Sequence, residues 1–155
     1  METLLKAIKH RWRSRGFGIH SPFAYHFVTE VLCLSPVYTY YAYALTSDRH
    51  MRLLVRLLAF FNPASVCIRL GNPREAAGIV RAVVPSAAVL SDSAEFTITD
   101  MPLAAPGNAL VLGREAVAAL AALPMEHGMI FSNGRDCAVV AALPHLPRQD
   151  FEIHL

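Results

Sequence analysis

The sequence has few cysteines. It holds three cysteines, Cys33, Cys67 and Cys137, which are widely spaced and lie in apolar surroundings. Their odd number and their spacing are unlike a disulfide framework or a zinc knuckle, and they favour a reducing compartment. His20 and His26 lie six residues apart, which is not a same-face helical spacing, and no carboxylate or cysteine completes a ligand set. We therefore expect a cytoplasmic protein without a bound metal.

Long hydrophobic runs are also missing. The longest apolar stretch, residues 116–125, contains a proline and is much shorter than the roughly 18 to 20 residues that a membrane-spanning helix needs. The N-terminus carries charge at Glu2, Lys6 and Lys9 and has no apolar segment of the kind found in export signals. We expect neither a transmembrane segment nor an export signal. The 155 residues, 54% of them hydrophobic, fit one compact domain.

Charge is distributed unevenly along the chain, although the net charge is only +2. Residues 1–56 contain eight Lys and Arg against three Asp and Glu, whereas residues 57–155 contain six against nine. Within the basic part, residues 1–15 have the pattern of an amphipathic basic helix. Such a helix could lie on anionic lipid or on nucleic acid, but it more often docks on its own protein or on a second subunit. We expect docking, and we do not expect nucleic-acid binding.

The N-terminal part of the chain is predicted to be helical. Ser21 is suited to cap a helix that begins with Pro22 and runs to about Cys33. Ser47 or Asp48 caps a further helix that ends near residue 61, before Asn-Pro. We interpret residues 1–63 as a helical extension that packs on the rest of the domain.

From residue 65 onward the pattern alternates between short apolar strands and helices. The predicted strands are 65–70, 87–91, 95–99, 108–112, 128–132 and 151–155, and the predicted helices are 73–84, 114–123 and 135–143. This alternation is typical of an α/β fold with a mostly parallel sheet. Residues 64–155 are therefore predicted to form a body with about six strands.

The turn after the first predicted strand is the most informative segment. In a doubly wound sheet a nucleotide-like ligand is usually held at such a junction, but this turn has one glycine, Gly71. Asn72 and Glu75 have the spacing of a capping box, and Pro73 removes one more backbone donor. These features favour an ordinary strand-to-helix turn, with ligand binding as the alternative.

The run Gly-Ile-His-Ser-Pro-Phe at residues 18–23 resembles a motif that precedes the Rossmann-like domain in one group of class I S-adenosylmethionine-dependent methyltransferases. Residues 54–63 are similar to the helix that leads into the first strand of that domain. The resemblance implies a Rossmann-like, mostly parallel sheet and an S-adenosylmethionine site. On the matching positions it implies that Gly71, Asn72, Asp92 and Asp100 contact the cofactor.

Several positions depart from the motifs of those enzymes. Arg69 stands where an acidic residue is expected, and Glu75 stands at a glycine position. The fourth strand continues into Gly113-Arg114 instead of an Asp-Gly pair, and the fifth ends in Ser132-Asn133 instead of paired aspartates. The resemblance therefore identifies no catalytic residue and no metal ligand in this chain.

The connections in the middle of the chain are unusually short. Only residues 92–94 separate the predicted strands 87–91 and 95–99, whereas parallel neighbours need a crossover of about a dozen residues. We therefore predict an antiparallel hairpin there, a contracted sheet that lacks two helices of the family, and exposed apolar surface that the N-terminal helices or a second copy of the chain could cover.

These observations lead to three functional hypotheses. The first is a degenerate methyltransferase-like domain that is not catalytic, is kept as a binding or interaction module, and forms a homo-oligomer. The second is an active S-adenosylmethionine-dependent methyltransferase with an atypical pocket, since methyl transfer can proceed by proximity and orientation alone. The third is a peripheral membrane or nucleic-acid binder that uses the basic first helix.

Overall fold

The computed structural model describes residues 21–33 and 36–155, with the backbone alone for residues 36–40. The predicted basic helix 1–15, His20 and the first half of the motif at residues 18–23 lie outside the described residues. In the part of the chain that the structure describes, no helix has both the length and the apolar character needed to cross a membrane.

Three helical segments precede the sheet. Ser21 caps α1, where its hydroxyl accepts a hydrogen bond from the Ala24 N–H at 3.3 Å. Asp48 caps α3 in the same way, accepting from the Met51 N–H at 2.9 Å. The predicted cap at Ser21 is confirmed, and of the two candidates Ser47 and Asp48 the second is the cap. The segments are α1 at Pro22–His26, which continues as a π-helical turn at Phe27–Leu32, α2 at Pro36–Leu45 and α3 at Arg49–Phe61.

Seven strands and two further helices form the rest of the chain. The strands are β1 Ser65–Arg69, β2 Ala88–Leu90, β3 Phe96–Thr99, β4 Asn108–Leu112, β5 Met129–Ser132, β6 Cys137–Ala141 and β7 Gln149–Glu152. The helices are α4 at Arg74–Val83 and α5 at Arg114–Ala119, and a 3₁₀ turn at Leu120–Ala122 follows α5.

All seven strands belong to one sheet in the order β2-β1-β3-β4-β6-β5-β7. β6 is antiparallel to both of its neighbours, and every other pairing is parallel. The chain is therefore an α/β protein with a mostly parallel sheet, as predicted, although it has seven strands instead of about six.

The predicted hairpin between the second and third strands is wrong. β2 and β3 do not pair with each other; both pair in parallel with β1, one on each side, so that Val66 lies level with both Val89 and Phe96. Residues 91–95 cross over β1 to make this connection. Five residues reach about 16 Å when extended, and two strand spacings are about 10 Å. A crossover helix is unnecessary because β2 has only three residues and the chain hardly needs to travel back.

The predicted helix 135–143 is also wrong, because this segment forms β6. Residues 133–136 make a tight turn in which Gly134 has a φ of +71°, and β6 returns antiparallel to β5. All five residues of β6 are buried. The run Cys-Ala-Val-Val-Ala suits either structure locally, and the central position between β4 and β5 selects the strand.

The two faces of the sheet are covered very differently. One face packs against α1, α3 and α4 in a large core, in which the Phe27 ring lies 5.1 Å from Phe131 and the Phe61 ring lies 5.5 Å from Phe96. The other face has a smaller core beneath α5 and the 3₁₀ turn. The helices before residue 64 thus share one hydrophobic core with the sheet.

Candidate functional site

The strand order places a crevice at the carboxyl ends of β1 and β3. The connection that leaves β1 runs through α4 to β2, and the connection that leaves β3 runs in the opposite direction to β4, so the two diverge between β1 and β3. In open α/β sheets such a point is where ligands bind, outside the carboxyl ends of the strands. Gly71 and Asp100 follow β1 and β3 at this edge.

A hydrogen bond joins the two sides of this crevice. The Gly71 N–H donates to Oδ2 of Asp100 at 2.9 Å, and the Asp100 N–H donates to the Arg69 carbonyl oxygen at 3.1 Å. Two residues that the sequence assigned to one cofactor site are therefore in direct contact. The turn does not itself require glycine at position 71, because a Cβ atom there would lie 3.5 Å from Asp100, an ordinary van der Waals distance.

The predicted capping box at Asn72 and Glu75 is wrong. α4 begins at Arg74, and the residue before it, Pro73, makes no side-chain cap. Asn72 accepts only a long hydrogen bond, 3.4 Å, from the Arg74 N–H. The carboxylate of Glu75 instead accepts a hydrogen bond from the hydroxyl of Thr46, which follows α2. A tertiary partner thus replaces the local one that the spacing suggested.

Arg69 and Asp92 form an ion pair on the other side of β1. Their side chains approach to 3.1 Å, and the Asp92 side chain is 86% exposed. Of the four residues predicted to contact a cofactor, Gly71, Asn72 and Asp100 lie together, whereas Asp92 is separated from them and is bonded to Arg69. Because both partners are exposed, this pair contributes little to stability, on the order of 1 kcal/mol or less.

A cavity of about 310 Å³ lies beside the turn. Its charged lining consists of carboxylates, and each one already accepts a hydrogen bond from the protein: Asp48 from the Met51 N–H, Glu75 from Thr46 and Asp100 from the Gly71 N–H. The cavity can therefore offer acceptors to a hydroxyl or a cation, and it repels anions. Leu70 and Leu112 supply apolar walls.

Sequence reasoning missed the contribution of the helical extension to this cavity. Asp48 and His50 line it from the start of α3, more than twenty residues before Gly71 in the chain. Asp48 was recognised as a helix cap, but a cap signal is local and does not say which strand end the helix will face. No feature of the sequence alone would have placed α3 there.

The ends of β4 and β5 carry a second group of polar residues. Asn133 is almost buried, and its side-chain oxygen accepts from the backbone N–H groups of Arg135, Asp136 and Cys137 at 2.9 to 3.1 Å. Its side-chain amide donates to Asp136 at 2.7 Å, and this bond is the main reason that the pKa of Asp136 lies below its ordinary value. Sequence reasoning did not single out Asp136, whose carboxylate also lies 3.6 Å from Arg49.

The described residues do not bring these groups together as a set of metal ligands. Among residues 21–33 and 36–155, no three His, Cys, Asp or Glu side chains are grouped so that they could hold a metal ion. The nearby carboxylates Asp100 and Asp136 are each engaged with a backbone or side-chain donor.

Comparison of the chain with protein-family models, with curated proteins and with solved structures gave no significant match.

Proposed function

We propose that this chain is a Rossmann-like, methyltransferase-type domain that has lost catalysis and acts as a binding or interaction module in a homo-oligomer. Its sheet order and the crevice at β1 and β3 are compatible with that type of fold. The residues around the crevice, however, fit an adenosyl cofactor poorly.

The hydrogen bond from the Gly71 N–H to Asp100 carries this proposal. A strand-to-helix turn binds an anionic group through free backbone N–H groups. Here the donor is already taken by a carboxylate of the protein. A cofactor whose amino-acid tail ends in a carboxylate would have to displace Asp100 and then remain beside its charge. The repulsion between the Asp100 carboxylate and the carboxylate of the cofactor would oppose binding strongly.

The charge at the end of β1 supports the same interpretation. Arg69 occupies the position at which the resembling enzymes carry an acid, and its guanidinium is paired with Asp92 at 3.1 Å. A cation at this position repels the ammonium group of S-adenosylmethionine, and the pairing uses the acid that would otherwise accept from a ribose. Both changes act against cofactor binding.

An active methyltransferase is the second candidate, and the cavity of about 310 Å³ at the carboxyl ends of the strands favours it. In that case Asp100 would rotate away from Gly71 when the cofactor arrives. Methyl transfer then needs only proximity and orientation, so the shortage of free acids and bases would not prevent it.

Isothermal titration calorimetry with S-adenosylmethionine and S-adenosylhomocysteine separates the two candidates. We expect no binding of either compound with a Kd below about 100 µM. Micromolar binding that is abolished by Gly71→Val would contradict the proposal and favour the active enzyme. Gly78→Ala is the control, because a Cβ atom at that helical position meets nothing within 4 Å.

A further inference from the structure

A second cavity lies on the face of the sheet opposite α4. Its volume is about 260 Å³, and its floor is formed by side chains of three adjacent strands, Cys67, Thr97 and Ala109. Residues 103–107 and the Ser93-Ala94 segment form its walls. This cavity is separate from the one beside Gly71, with which it shares no lining residue.

The cavity exists because two successive connections contain no helix. Residues 91–95 join β2 to β3, and residues 100–107 join β3 to β4, both as irregular segments. They do not fill the sheet face as a helix would. Ser91 contacts this face through its carbonyl oxygen, which accepts from the Cys67 thiol at 3.5 Å. The floor beside this contact is left open to a small molecule.

The lining has one charged side chain, that of Arg69, among small and uncharged residues that include Ala94, Ala105 and Pro106. We infer that this cavity binds a small carboxylate with a short apolar tail. A guanidinium can donate two parallel hydrogen bonds to a carboxylate. The apolar walls suit a hydrocarbon tail better than the three oxygens of a phosphate.

Arg69 already pairs with the carboxylate of Asp92, through one hydrogen bond. The two side chains lie 3.1 Å apart, and Asp92 is 86% exposed, so it can turn into water at little cost. A ligand carboxylate would take its place, while the tail would lie over the Cys67 thiol, which is 2% exposed. This inference goes beyond the proposed function and does not depend on the state of the Gly71 turn.

Nuclear magnetic resonance titration with butyrate tests the inference, with butyramide and butylamine as matched neutral and cationic probes. We expect saturable binding of butyrate in the millimolar range and at least about tenfold weaker binding of the other two. Arg69→Gln should weaken butyrate binding at least about tenfold, and Asp92→Ala should strengthen it a few fold because the guanidinium is released. Arg81→Gln, on the exposed side of α4, should leave it unchanged.

Labelling of the thiols provides a second readout. Butyrate should slow the alkylation of Cys67, measured by mass spectrometry, more than that of Cys33, which is only partly buried and does not line the cavity. Absence of saturable butyrate binding would overturn the inference. So would butyrate binding that Arg69→Gln and Arg69→Lys both leave intact, or equal protection of the two cysteines. These outcomes are distinct from the calorimetric result for S-adenosylmethionine.

Discussion

Single side chains decide what the turn after β1 can bind. Asp100 accepts a hydrogen bond from the Gly71 N–H, and Glu75 accepts one from the Thr46 hydroxyl. Asp92 accepts one from the Arg69 guanidinium. The resemblance assigned Gly71, Asn72, Asp92 and Asp100 to one site, and the structure brings all of these together except Asp92. The sequence alone could not predict the hydrogen bond between Asp100 and Gly71, because that contact depends on the register of β1 and β3.

Cys137 provides a residue-scale prediction about pH. Burial raises the pKa of its thiol from an ordinary value of 9.0 to about 12. Because the pKa is higher in the folded protein than in the unfolded chain, the buried neutral thiol stabilises the fold below pH 9. This stabilisation is lost as the pH rises toward 12. Relative to Cys137→Ala, the wild-type free energy of unfolding should fall between pH 9 and pH 11, by up to about 1 kcal/mol per pH unit.

Urea unfolding of the wild type and of Cys137→Ala at several pH values measures the difference in their free energies of unfolding. Titration of the groups that both proteins share cancels in this difference. At pH 8 the variant should be less stable by about 1 kcal/mol, because removing a buried sulfur leaves a small cavity. A wild-type advantage that stays constant from pH 8 to pH 11 would show that the thiol ionises normally in the folded protein.

At the scale of elements, the helix caps and the strands that follow them were predictable, and the β5-β6 hairpin was not. Caps at Ser21 and Asp48 depend on residues within three positions, so the sequence contains the necessary information. β6 is specified by burial between two other strands. Its run Cys-Ala-Val-Val-Ala suits a helix or a strand locally, and Asn133-Gly134, a strong hairpin signal, was the information that could have corrected the prediction.

Asn133 should be essential to that hairpin. Asn133→Ala removes the acceptor of three backbone N–H groups, one of them buried at Cys137, and we expect a loss of about 2 kcal/mol in the free energy of unfolding. Asn72→Ala is the matched control, because Asn72 makes only the 3.4 Å bond to Arg74, and it should change stability by less than about 0.5 kcal/mol.

Urea denaturation measures the free energy of unfolding of both variants, and the m value should equal that of the wild type. Equal stabilities of Asn133→Ala and Asn72→Ala would show that the hairpin does not depend on the Asn133 side chain. It would also imply that water satisfies the backbone donors of the turn.

At the scale of the whole molecule, β2 forms an edge of the sheet with little protection. Its three residues are all exposed, with Val89 at 56% and Leu90 at 42%, and none of them is charged or a proline. Natural proteins usually protect such edges with charges, prolines or bulges. The homo-oligomer remains a proposal, and this edge is the surface that it would use.

Sedimentation velocity with Val89→Lys tests that proposal. We expect the wild-type chain to sediment as an oligomer and Val89→Lys to sediment as a monomer of unchanged stability, because a lysine on an exposed edge disfavours pairing with a second sheet. Met101→Lys is the control, since Met101 is 59% exposed but does not lie on an edge strand. A monomeric wild type, or an oligomer that is insensitive to Val89→Lys, would exclude this interface.

The fold class followed from the sequence because apolar strands alternate with helices along the chain. The topology did not follow, since the prediction assumed that β2 and β3 would be neighbours in the sheet and therefore had to be antiparallel. The actual arrangement inserts β1 between them, which a three-residue β2 makes possible. Residues 91–95 and 100–107 connect these strands without a helix, and the cavity above Cys67 is the structural consequence.

The amide resonance of Gly71 during a titration with S-adenosylhomocysteine reports most directly on whether the turn is closed to the cofactor. We expect its chemical shift to stay constant up to millimolar ligand, because its N–H remains bonded to Asp100. A saturable shift of the Gly71 amide at micromolar ligand, together with loss of saturable binding in Gly71→Val, would show that the turn opens and binds the nucleoside.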